Sequence, residues 1–198
     1  KKNWSKGVLV LLVFWFVCFT SSWVIALHQY TITHLTLGGT WSTAQAINDL
    51  GQVVGTSQIS GDAFHHGFIY HKRTITDIGP INPYDVNNLG QVVGYYNTEM
   101  CGDSTVRSFI YSNGTLTDLG TISSDPRAQS WANGINDFGQ VVGSANTVYA
   151  GLDFHAYLYS DNVMENIDPD EQSEALAINN YGVVIGNERD GGIFLYSK

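Results

Sequence analysis

One nine-residue phrase occurs four times in this chain, almost unchanged, and it limits the fold more than any other feature. It reads INDLGQVVG from Ile47, VNNLGQVVG from Val86, INDFGQVVG from Ile135 and INNYGVVIG from Ile178. Its turn glycines, Gly51, Gly90, Gly139 and Gly182, are 39, 49 and 43 residues apart. Periods of that size mark a repeated supersecondary unit, one that cannot bury its apolar face alone and must stack on its neighbours.

Each unit divides into four short extended stretches. Stretch a ends on the Ile-Asn step: Thr43 to Asn48, Tyr84 to Asn87, Ala132 to Asn136 and Ala175 to Asn179. A tight turn follows, in which Asn and Asp bond back to the chain and glycine supplies positive φ. Stretch b carries the paired β-branched residues: Gln52 to Thr56, Gln91 to Tyr95, Gln140 to Ser144 and Val183 to Gly186. Stretch c is aromatic, as in Phe68-Ile69-Tyr70, Phe109-Ile110-Tyr111, Tyr157-Leu158-Tyr159 and Phe194-Leu195-Tyr196. Stretch d runs Thr74 to Ile78, Thr115 to Leu119 and Val163 to Ile167, and Asn113-Gly114 before the second of these is a strong hairpin signal. Turns arrive too often for helices in this part of the chain.

The ends are out of phase. Tyr30 to Leu35 reads as a d stretch with no c before it, and Ile193 to Tyr196 as a c stretch with no d after it. The count is then sixteen strands, and pairing the two ends would close a ring and hide its edges. The expectation is an all-β fold, a small β-propeller of four four-stranded blades closed by its N- and C-terminal strands. A β-sandwich and an open repeat array are the alternatives.

Ahead of the repeats, Lys1, Lys2 and Lys6 precede an apolar run from Gly7 to Phe19, then Thr20-Ser21-Ser22 and Trp23-Val24-Ile25-Ala26. That order describes an export signal, with the cut expected after Ala26. The expected division is a signal over 1–26 and a repeat domain over 27–198, secreted or periplasmic and not embedded in a membrane. An uncleaved anchor is the alternative, since Gly7 to Leu27 is long enough to span a bilayer. Loss of 1–26 removes three basic residues and no acidic one, taking the net charge from −9 to −12. Such acidity excludes nucleic acid as a partner. Cys101 would be the one cysteine left, so no internal disulfide is expected.

The repeat resembles the bacterial extracellular HAF-repeat family. The resemblance rests on the phrase above, on His155-Ala156-Tyr157 and His66-Gly67-Phe68 before the aromatic strand, and on Thr33-His34-Leu35-Thr36-Leu37-Gly38-Gly39 and Thr117-Asp118-Leu119-Gly120-Thr121-Ile122. It covers residues 30 to 196 and implies export, repeats and a propeller-like β fold. It implies no activity and no catalytic residue.

The polar repeats invite a metal reading. Asn48, Asn87, Asn136 and Asn179, with Asp49, Asn88, Asp137 and Asn180 beside them, could present oxygens to a hard cation. Every pair also precedes x-Gly at turn spacing, which favours turn building. No histidine or cysteine spacing proposes zinc, and no nucleophile elbow, phosphate loop or dinucleotide fingerprint is present. No cofactor and no metal are expected. The candidate ligand-binding residues are aromatic: Trp41 and Trp131 in the d–a loops, and Tyr96 and Tyr149 in or near the b–c region. The two indoles would either stack on sugar rings or a protein surface, or plug a small central channel. The excursion from Asn97 to Val106 is the expected variable surface. The functional expectation is an exported, monomeric binding or structural module with a glycan or cell-surface protein as partner. A carbohydrate-active hydrolase or lyase, with aspartates on one propeller face, is the alternative; whether the chain is an enzyme stays open.

Overall fold

A computed structural model describes residues 31–61, 64–100, 103–147 and 153–197. The expected export segment, 1–26, and two residues singled out above, Cys101 and Tyr149, lie outside these. Among the described residues there is no helix, so none is long and apolar enough to cross a membrane. Residues His34–Lys198 form one unit of four antiparallel sheets in chain order. The first contains β1 (Gly38–Ile47), β2 (Val53–Ile59), β3 (His65–His71) and β4 (Thr74–Asp77). The second contains β5 (Ile81–Val86), β6 (Val92–Met100), β7 (Asp103–Ser112) and β8 (Thr115–Gly120). The third contains β9 (Ser130–Ile135), β10 (Val141–Asn146), β11 (Phe154–Ser160) and β12 (Val163–Asn166). The fourth has three strands, β13 (Ser173–Ile178), β14 (Val184–Glu188) and β15 (Ile193–Tyr196).

The last glycine of each phrase sets the shape of its sheet. The strand before the turn carries a bulge at Gln45, Tyr84, Asn133 and Leu176, each skipped in the pairing register. At the bulge the a-strand backbone closes on the b-strand glycine. A Cβ would lie 2.0 Å from the Thr43 carbonyl oxygen at Gly55, 1.9 Å from Asn82 at Gly94, 1.9 Å from Trp131 at Gly143 and 2.3 Å from Glu174 at Gly186. On its other side each glycine pairs with the aromatic of the c strand: Phe68, Phe109, Tyr157 and Phe194. The ring covers the backbone that glycine leaves bare.

Strand alternation turns the two β-branched residues of each phrase to opposite faces. Val92, Val141 and Val184 pack toward the preceding sheet, and Val54, Val93 and Val142 toward the following one. Three apolar layers result, one between each consecutive pair of sheets. Val54 meets Ile81, Val86 and Phe109; Val93 meets Ile135 and Tyr157; Val142 meets Ala175 and Val184.

The turns build a second link between sheets. In the first three units the asparagine Oδ1 accepts the N–H groups two and four residues on. Its Nδ2 donates to the glutamine four residues on and to the backbone oxygen of the next unit's asparagine. Asn48 reaches Asn87 at 2.8 Å, Asn87 reaches Asn136 at 2.9 Å and Asn136 reaches Asn179 at 3.0 Å. A parallel ladder joins the next position: Asp49 N–H to Asn88, Asn88 N–H to Asp137 and Asp137 N–H to Asn180. These oxygens are engaged in turn and ladder bonds. Among the described residues no three His, Cys, Asp or Glu side chains converge as a metal site.

The expected closed propeller is not formed. Among the described residues there are four separate sheets with fifteen strands, and no strand of the fourth pairs with the first. Residues 31–36 form no strand, and Ile32 is 85 % exposed. The chain is instead held to the first sheet, through a parallel bridge from Leu37 to Ile59 and the Leu37 N–H on Ser57 Oγ at 3.0 Å. The Asn97–Val106 excursion is likewise no irregular loop, for β6 and β7 continue their ladder to Met100 and Asp103.

Two stability predictions follow from this geometry. Gly143→Ala should lower unfolding free energy by about 3 kcal/mol, because its Cβ enters a backbone oxygen. Gly51→Ala meets nothing within 4 Å and strains only its φ of 73°, so about 1 kcal/mol is expected there. Asn87→Asp should cost about 2–4 kcal/mol, since it removes both donated bonds and sets a charge beside their acceptors. Asn179→Asp keeps its two accepted bonds, from Tyr181 and Val183, and should cost under about 1 kcal/mol. Urea denaturation midpoints of the four variants check both pairs.

Candidate functional site

The bulges that bring a strand against its glycine also re-aim the bulged side chain. At two consecutive units those side chains are Tyr84 and Asn133, and they line one crevice of about 310 Å³ with Trp131, Ser144, Phe154 and Glu174. Trp131 of β9 and Phe154 of β11 meet edge to face, with centroids 5.2 Å apart at 74°. Tyr84 leans on Tyr95 in the same manner at 5.5 Å and 70°. Asn133 donates from Nδ2 to Glu174 Oε1 at 2.8 Å and to the Ala175 backbone oxygen at 2.9 Å, so the crevice floor spans the second, third and fourth sheets. Burial, then the neighbouring Tyr95 and the Glu174 charge, hold the Tyr84 hydroxyl above the ordinary tyrosine range, so it stays a neutral donor and acceptor.

A second recess of about 340 Å³ adjoins through Phe154 and Glu174 and adds Gln172, Ser173, Asn187, Glu188 and Arg189. Arg189 bonds to Gln172 through both its guanidinium and its backbone N–H. Ser173 pairs with Glu188, and Glu174 with Asn187. Alternation therefore places Glu174 and Glu188 on opposite faces of the fourth sheet. Both carboxylates nonetheless border this recess.

The predicted aromatic residues do not gather. Trp131 is in the crevice, but within β9 rather than in a loop. Trp41 lies within β1, 48 % exposed, with its ring 4.7 Å from that of His65. Tyr96 sits in β6 against Phe109, and its hydroxyl donates to Asp118 at 3.2 Å. Neither Trp41 nor Tyr96 lines the crevice. The reading in which the indoles plug a channel falls with the closed ring. Sequence reasoning missed Tyr84, Asn133, Phe154 and Glu174. A usable signal was present: at the register position of Trp131 the other units carry Thr43, Asn82 and Glu174. A position that departs from its own repeat is not needed to build that repeat.

Other polar residues of the repeat have structural partners. Asp77 and Asp118 accept the N–H groups of Gly79 and Gly120 at 2.8 and 2.7 Å, closing the turn after strand d. Asp77 also meets His66 Nδ1 at 2.9 Å. Asp85 bridges two sheets, its Oδ2 accepting the Ile135 N–H at 2.9 Å, and burial raises its pKa against the lowering effect of those backbone bonds.

His155, beside Phe154, is buried between two acceptors. Its Nδ1 lies 3.0 Å from the Asp168 backbone oxygen and its Nε2 3.4 Å from Asp153 Oδ2. Donating at both nitrogens requires the imidazolium. Burial opposes that charge, yet the Asp168 and Asp153 oxygens outweigh it, and the pKa is raised above 6.5. The sign follows from linkage: a raised folded pKa gives stability that is full below the unfolded value and lost as pH climbs through the folded one. As pH rises from about 6 through the raised His155 pKa, the protein should therefore lose stability relative to the His155→Gln variant. Thermal midpoints of both proteins across that range measure it.

No family model, no curated protein and no solved structure matches the chain.

Proposed function

We propose that the chain is an exported binding module that takes a neutral polyhydroxylated ligand, in the first place a glycan, in the crevice of Tyr84, Trp131 and Phe154. The observation that carries this reading is the Trp131–Phe154 pair beside the Asn133–Glu174 hydrogen bond. An aromatic face next to fixed amide and carboxylate groups suits a sugar ring, apolar on its C–H face and hydroxylated at its rim. The acidic chain disfavours a polyanion there.

Export rests on Lys1 to Ala26, and the HAF-repeat likeness of residues 30 to 196 agrees with it. The hydrolase or lyase alternative needs two carboxylates about 5–9 Å apart across a cleft. Glu174 is the carboxylate of the crevice and is tied to Asn133, while Glu188 borders the adjoining recess with it; the fixed amide–carboxylate pair supports holding a ligand.

A glycan array probed with the full chain, followed by calorimetric titration of its best oligosaccharide, tests the reading. Trp131→Ala and Phe154→Ala should each weaken binding by roughly tenfold or more, while Trp41→Ala leaves it unchanged. Equal loss in all three variants would remove the crevice from the account. Turnover of the bound oligosaccharide would transfer the site to the enzyme alternative.

A further inference from the structure

The fourth residue of every phrase, at the tip of its turn, is large, apolar and in solvent. Leu50, Leu89, Phe138 and Tyr181 hold this place and are 61, 69, 74 and 93 % exposed. Each backbone N–H is used, donating to the Oδ1 of the asparagine two residues before it. The turn makes no demand on the side chain, and small or polar residues are the usual occupants of such tips. A single exposed apolar side chain is ordinary. Here the identity changes from Leu to Phe to Tyr while size and apolar character persist in all four units, which the fold itself does not require.

These four tips follow directly on the residues of one recess. The first three residues of every phrase line it, around a volume of about 350 Å³. Its charged groups are two carboxylates, Asp49 and Asp137, and its lining holds no Lys, Arg or His. Asn88 Nδ2 donates to Asp49 Oδ2 and to Asp137 Oδ2, each at 3.1 Å, so one nitrogen can reach both carboxylates at once. Bonds from the Asn88 backbone and from the Asn180 and Asn88 side chains hold Asp137 below the usual carboxylate range, so it keeps its charge at neutral pH. Asp49 is exposed. An acidic recess bordered by apolar tips, on a chain of net charge −9, repels anionic lipid and draws a cation that has apolar neighbours.

We propose that this turn face docks a segment of another protein in which one lysine or arginine is flanked by apolar residues. The cationic side chain would enter the recess and lie against Asp49 and Asp137, and its flanking residues would rest on Leu50, Leu89, Phe138 and Tyr181. Phe138 and Tyr181 also offer ring faces that attract a cation. The carboxylates fix where the segment sits, and the apolar tips supply the contact area. The recess shares no lining residue with the crevice of Tyr84, Trp131 and Phe154, so neither reading depends on the other.

Selection of displayed heptapeptides on the full chain tests the proposal. One library fixes lysine or arginine at the central position and randomises the rest; a second fixes glutamate there. The first should yield binders with apolar flanks and the second none. The strongest binder is then made as a labelled synthetic peptide and titrated by fluorescence anisotropy. Phe138→Ser with Tyr181→Ser should weaken it by roughly tenfold or more, and Asp49→Asn should weaken it and flatten its dependence on salt. All three side chains are exposed, so the fold is spared. Trp131→Ala should leave the affinity unchanged. No binder from the first library, equal yields from the two, or an affinity that Trp131→Ala lowers and the turn-face variants do not would overturn the proposal. So would binding to phosphatidylserine vesicles, or self-association of the chain, that the paired serine variant abolishes, since each assigns the apolar tips to another occupant.

Discussion

The approach of a bulged strand to a side-chain-free glycine is the contact on which the rest of the structure depends. At Gly55, Gly94, Gly143 and Gly186 the opposing carbonyl sits where any Cβ would be. That approach twists each sheet at the same point, aims the bulged residue away from the ladder and leaves room for an aromatic ring on the other side. On the b strand beside it, alternation sets the two β-branched residues before the glycine on opposite faces, one for each neighbouring sheet. The apolar layers follow from that placement, and the asparagine ladder keeps consecutive units at a fixed offset.

Much of this was legible in the chain. The phrase from Ile47 and its three copies announce turn, strand and glycine in order, and the four-stretch division anticipates the fifteen described strands in their order, with β1, β6 and β7 longer than their stretches; the sixteenth stretch, Tyr30 to Leu35, forms no strand over residues 31–35. The c–d turns were legible where Asn113-Gly114 spells one, and less so at Lys72-Arg73 and Asp161-Asn162, which adopt positive φ at both positions without glycine. What the sequence could not convey is curvature. Whether four stacked sheets close depends on the angle between neighbours, and that angle is set by side-chain volumes in three layers. Tyr30 to Leu35 looks like a strand in search of β15, yet the bond of Leu37 to Ser57 and its bridge to Ile59 hold the following residues on the first sheet.

The candidate site was legible in part, for a physical reason. Residues that build the repeat announce themselves by recurring; residues that do something else recur nowhere. Trp131 stood out because indoles are rare and large. Tyr84 and Asn133 did not, because a bulge is a property of pairing between strands and leaves no mark on either strand alone. Glu174 follows Asp168, Asp170 and Glu171 in one acidic stretch, and its bond to Asn133 crosses 41 residues of chain.

An array of like units has a property that a closed fold lacks. Every internal interface is a solved packing problem, and the sequence solves it three times here, with Val54, Val93 and Val142 fully buried. The first and fourth units retain the residues of the inner ones, and Ile47, Ile185 and Leu195 are large and aliphatic, exposed and set in the register of the core. The fourth phrase has lost its glutamine to Val183, which removes one turn bond but keeps the apolar face intact. The apolar positions of the phrase thus persist where one of its hydrogen bonds has gone, which sets packing between sheets above turn closure in what the repeat requires.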